Sequence, residues 1–100
     1  MIQKIRKFNE IDDYNLVLDE IDKGNRAGLK CLFDTYIVDF YLIVYSEFRN
    51  CERTKDVLSE FFIDIWNAPD NFRLSDGNID VRLYLVNQLN HYITQEKEKV

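Results

Sequence analysis

From Arg26 to Phe48 the chain runs without a turn signal, and no other feature narrows its fold as much. Leu29, Leu32, Phe33, Tyr36, Phe40 and Ile43 recur there at three- and four-residue steps, the spacing of a helix face. The β-branched Ile37, Val38, Ile43 and Val44 would suit a strand. More than twenty unbroken residues are far too many for one, since strands in globular proteins usually run about 3–10 residues. The segment is therefore expected to be a long, aromatic-rich central helix. The rest of the chain agrees: one proline and three glycines in 100 residues leave few turns and long elements. That composition favours an all-α bundle over a sandwich or barrel of many short strands.

Three further helices are predicted around the central one. The first spans about Asp13 to Asp22, with Leu16, Val17 and Ile21 on one face. Gly24 and Asn25 end it and cap the next, glycine suiting a helix C′ position and asparagine an N-cap. After a break at residues 50–53, another helix is expected from Thr54 to Asn67, stopped by Pro69. Residues 68–78 form a polar loop with turn formers at Asp76, Gly77 and Asn78, and Asn78 is a candidate cap. The last helix is expected from Ile79 to Gln95, burying Val81, Leu85, Leu89 and Tyr92, with residues 96–100 frayed. The expectation is one small bundle, three long helices plus a short N-terminal one, with no linker to a second domain. A hydrophobic fraction of 46% is enough for a core.

Chemistry-bearing motifs are absent. Cys31 and Cys51 lack metal-ligand spacing and read as free thiols in a reducing compartment. His91 stands without a partner at a suggestive spacing, and there is no glycine-rich phosphate loop or nucleophile elbow. No catalytic residues, cofactor or metal are expected, and an enzyme is not. The basic start of the chain has no long apolar run behind it, so neither a signal peptide nor a membrane span is read and a cytoplasmic location is expected. A net charge of −5 argues against DNA binding by bulk charge. The acidic stretch at residues 10–22 reads as a solvated helix face, or else as a DNA mimic or a surface for a basic regulator.

The segment from Lys55 to Phe72 carries the strongest functional hint. Asp56, Glu60 and Asp64 fall four apart and form one polar ridge on a helix. Val57, Leu58, Phe61, Phe62 and Ile65 form an apolar stripe on the other side. A core helix needs only the stripe, so the ridge is either a solvated face or a docking surface. Trp66 reads as a core or rim anchor.

The order of these blocks resembles the second region of bacterial extracytoplasmic-function (ECF) sigma factors. Gly24-Asn25, then Leu32-Phe33-Asp34-Thr35-Tyr36, then Phe40-Tyr41 is similar to the family's opening pattern. The run from Asp56 to Trp66 resembles its next helix, usually Asp, two hydrophobics, Gln-Glu, Phe and a closing Trp. Val81-Arg82-Leu83-Tyr84-Leu85 resembles the block that opens the last helix. The likeness spans about residues 14–93. It implies an all-helical sigma region-two domain that docks on the β′ subunit coiled coil of RNA polymerase core and contacts the promoter −10 element. Carried over by position, Asp56, Ser59, Glu60 and Ile63 would lie on the polymerase-binding face. Asn71, Arg73, Arg82 and Tyr84 would lie nearest the displaced DNA strand. An anti-sigma factor is a further implied partner.

The departures from that pattern also carry information. Ser59 stands where the family usually has Gln, and no arginine follows Arg82 in the last helix. Each missing phosphate contact removes a counterion-release contribution, so promoter binding by this domain is expected to be weak. The family's chains continue into a second, −35-reading helix-turn-helix domain. A sequence stopping at Val100 fits either a piece cut at a domain boundary or a chain that has lost that half. The alternative to a promoter reader is a sigma-like interaction module that binds polymerase or a regulator without reading DNA.

Overall fold

Four helices and one short 3₁₀ turn make up the computed structural model, which describes residues 11–74 and 80–99. Helix α1 spans Ile11–Asp22, α2 Arg26–Phe48, α3 Cys51–Asn67 and α4 Val81–Lys97, with a 3₁₀ turn at Pro69–Phe72. Among the described residues there is no strand.

The junctions follow from cap chemistry. Gly24, at φ +83°, donates its N–H to the Ile21 carbonyl while Asn25 donates to that of Glu20, a Schellman closure of α1. The Asn25 side chain then accepts from the Ala27 N–H and opens α2. The α2–α3 connection is only Arg49 and Asn50. Arg49 adopts a left-handed conformation at φ 51°, and Asn50 accepts from the Arg53 N–H at 3.0 Å. The buried Thr54 hydroxyl donates to the Asn50 carbonyl at 2.8 Å. Asn50 is thus a cap with helix directly after it, and α3 starts at Cys51 rather than Thr54. Pro69 opens the 3₁₀ turn, where its missing N–H costs nothing. Asp80 caps α4 by accepting from the Leu83 N–H at 3.1 Å. The expected turn at 76–78, the Asn78 cap and the Ile79 start lie outside the described residues, as do residues 1–10.

Phe61 stands at the centre of the core. Its ring meets those of Phe40, Phe62, Phe72 and Tyr92 at centroid distances of 5.3–6.0 Å, all edge-on. Edge-to-face pairs of this kind add to burial because ring edges and faces carry opposite partial charge. Helix α2 contributes Leu32, Tyr36, Phe40 and Val44, and α3 contributes the full predicted stripe. Helix α1 approaches α2 closely at Gly28, where a Cβ would come within 3.1 Å of Glu20 Cβ and the Val17 carbonyl.

Two burial expectations and one helix end need correction. Helix α1 buries Tyr14, Leu18 and Ile21, leaving Leu16 61% exposed. Tyr14 sets that face, because its hydroxyl donates to the Phe72 carbonyl at 2.6 Å. In α4, Ile93 closes the buried stripe and Tyr92 is half-buried, its hydroxyl turned to Asp64. Helix α4 also runs past Gln95 to Lys97. The Arg53 guanidinium, lying over the Phe48 ring, holds both the Glu96 carboxylate and its carbonyl at 3.1 Å.

Candidate functional site: the outer face of the third helix

Burying Val57, Leu58, Phe61, Phe62 and Ile65 fixes which side of α3 faces water. Asp56, Ser59 and Glu60 are exposed, and Ile63 is 55% exposed beside them. Neither Asp56 nor Glu60 makes an ion pair or hydrogen bond with a described residue. The third member of the sequence ridge differs. Asp64 is half-buried and accepts the Tyr92 hydroxyl at 2.6 Å. Burial and that bond push the Tyr92 phenol well above its ordinary range. The ridge is therefore two free carboxylates and one that ties α3 to α4.

Beside this face lies a feature that periodicity alone did not bring out. Helices α2 and α3 border a groove of about 790 Å³, lined by Phe33, Ile37, Tyr41, Leu58, Phe62 and Trp66 among others, with Ser59 and Ile63 on its α3 edge. Phe33 is 39% exposed there, its ring 5.1 Å from that of Phe62. Trp66 is half-buried on the rim, as an anchor would be. A sequence signal for the groove exists: α2 carries apolar residues beyond its buried face, and Val38 and Leu42 also face water.

The second predicted cluster has a different character. Asn71 is exposed at the end of the 3₁₀ turn, and its carbonyl accepts the Tyr84 hydroxyl at 3.5 Å. These two residues come together. The arginines turn to different helices. Arg73 pairs with Asp19 and Asp70, each at 2.6 Å, and reaches the Asn15 carbonyl at 3.4 Å. Those partners raise its pKa, the Asp70 bond foremost. Arg82 pairs with Asp39 on α2 at 3.3 Å. Asn15 completes the corner by bonding the Leu74 backbone on both sides, donating to its carbonyl and accepting from its N–H.

Elsewhere, His91 is exposed, and Cys31 and Cys51 are free thiols. Among the described residues, no group of three or more His, Cys, Asp and Glu side chains could hold a metal ion. Among them too, no helix is long and apolar enough to cross a membrane. The arrangement offers surfaces for binding: a free acidic strip, an apolar groove beside it, and a polar corner whose cations are already engaged. Comparison with known proteins finds no significant match to a protein-family model, a curated protein or a solved structure.

Proposed function

We propose that this chain is a divergent ECF-type sigma region-two domain that binds RNA polymerase core through the outer face of α3. Asp56, Ser59, Glu60 and Ile63 form the docking strip, and the β′ coiled coil is the partner. One observation carries the proposal: Asp56 and Glu60 stand exposed, with no ion pair or hydrogen bond to a described residue, next to an exposed isoleucine on a helix whose other side packs into the core. Unpaired carboxylates can take arginines of a partner helix as charge-assisted bonds without first giving up a partner of their own. Asn71, Arg73, Arg82 and Tyr84 would contact the −10 element weakly, in the cytoplasm, with no chemistry performed by the domain itself. The test is a pull-down of core polymerase. Asp56→Arg combined with Glu60→Arg should abolish capture, and undiminished capture refutes the assignment.

A second reading is a sigma-like module that binds polymerase or a regulator such as an anti-sigma factor without reading DNA. The ion pairs of Arg73 and Arg82 favour it, together with the lack of any later arginine in α4. Salt-dependent binding to single-stranded −10 DNA, with core polymerase present, separates the two. Strand-specific binding supports the promoter reader, and its absence supports the module.

A further inference from the structure

The groove between α2 and α3 has an apolar floor and cations at both ends. Leu58 and Phe62 form the floor, and Phe33 and Trp66 stand on its walls. The two-residue connection sends α3 back along α2: Tyr41 meets Cys51 near the connection, and Phe33 meets Phe62 further along. Arg26 and Lys30 therefore flank the Trp66 end, and Lys55 flanks the Tyr41 end. Arg26 and Lys55 have no ion pair or hydrogen bond with any described residue, whereas Lys30 pairs with Asp34. Arg26 is also the first residue of α2, whose first turn carries no acid to offset the positive end of the helix dipole. An apolar trough between two helices is the form that receives an amphipathic helix. Free cations at both ends select the charge of the guest.

We propose that this groove binds an acidic amphipathic helix of about four turns, supplied by a partner protein. From Arg26 to Tyr41 the trough runs about 22 Å at 1.5 Å per residue, so a guest of about fifteen residues fills it. The guest places apolar anchors at i, i+4, i+7 and i+11 on the floor and Asp or Glu within a turn of each end. Ser59 and Ile63 belong to both the groove edge and the strip proposed for polymerase, so the two occupants exclude each other. The groove inference does not depend on the polymerase reading, and a failure of core polymerase to bind leaves its test intact.

Trp66 is the only tryptophan in the chain and lines the groove, so its emission reports occupancy. The probe is a stapled fifteen-residue helix free of Trp and Tyr, with leucine at the four anchor positions and glutamate at both ends. Its counterpart carries lysine in place of each glutamate. The glutamate peptide should shift Trp66 emission to the blue saturably and bind about tenfold tighter than the lysine peptide at low salt. The double substitution Arg26→Glu and Lys55→Glu, both on the surface, should reverse that preference. No saturable shift, equal affinities, or a preference unchanged in the variant each overturn the proposal. So does sedimentation showing a dimer whose dissociation exposes Trp66, because the groove would then be an interface between copies of this chain.

Discussion

The outer face of α3 and the corner formed by the 3₁₀ turn with the start of α4 were both marked by charged residues, and they spend those charges differently. On α3, Asp56 and Glu60 have no partner among the described residues. At the corner, Arg73 is shared between Asp19 and Asp70, and Arg82 is taken by Asp39. A free charge meets a ligand at the cost of its own hydration. A paired one must also exchange a partner, and the gain is the difference between two similar bonds. Exposed ion pairs are worth only roughly 0–1 kcal/mol, so the corner is not closed to nucleic acid, but its arginines start from a discount.

Both regions rest on Phe61, which touches α2 through Phe40, the turn through Phe72 and α4 through Tyr92. Truncating it should therefore damage both together and produce the largest effect. Phe61→Ala should lower unfolding stability by about 3–5 kcal/mol, read as a fall in the urea midpoint. That loss is a large fraction of the roughly 5–15 kcal/mol by which a small domain is stable. If it left the α4 corner protected in hydrogen exchange, the two regions would be independent units.

Tyr14→Phe separates them. It leaves the Phe72 carbonyl without its donor in a buried setting and touches nothing on α3's outer face. A cost of about 1–3 kcal/mol is expected, with polymerase capture per folded molecule unchanged. The same tyrosine gives a pH signature. Burial raises the Tyr14 phenol above its ordinary value, and Tyr92 is raised too, first by burial and then by Asp64. A raised pKa means the folded state keeps its proton after the unfolded chain has lost it. Stability is thus insensitive to these groups below about pH 10 and falls above it, by up to about 1.4 kcal/mol per pH unit for the buried Tyr14 and by less for Tyr92, whose charge water screens. Tyr14→Phe should make that alkaline slope shallower, as measured by urea titrations between pH 9 and 11.

At the corner itself, Asp19→Asn with Asp70→Asn frees Arg73. The doubly substituted chain, with core polymerase present, should bind single-stranded −10 DNA more tightly at low salt. The slope of log affinity against log salt should steepen by roughly 0.7, one further phosphate contact on a single strand. An unchanged slope would show that Arg73 does not reach DNA even when released.

What the sequence made legible is local, and what it hid is tertiary. The bounds of α2 could be read because Gly24 and Asn25 act on adjacent backbone. The buried stripe of α3 could be read because its five residues repeat with the helix. The α3 start was placed late because a polar run around Asn50 looks the same as a break or as a cap. The exposure of Asp56 and Glu60 followed from the stripe opposite them, whereas Ser59 and Ile63 entered only through the family resemblance. That Asp64 would leave the ridge did not, since its partner Tyr92 lies 28 residues away on another helix. The engagement of Arg73 by Asp19 on α1 is hidden for the same reason. The groove is hidden because the apolar residues of α2 outside its buried face read as core in a pattern that has no third dimension.

The smallest expected effect is the one that separates a docking strip from a structural one. Asp56→Asn with Glu60→Gln removes two charges from a helix face where neither forms an ion pair or hydrogen bond with a described residue. Stability should change by no more than about 0.5 kcal/mol, the range for surface substitutions away from special features. Asp64→Ala, one turn further along the same ridge, should cost about 1 kcal/mol because the Tyr92 hydroxyl loses its acceptor. Two carboxylates that contribute nothing to folding, beside one that does, would leave the free pair available to a partner and the third tied to the scaffold. Equal costs in urea melts would instead make the whole ridge part of the scaffold and remove the contrast between the two regions.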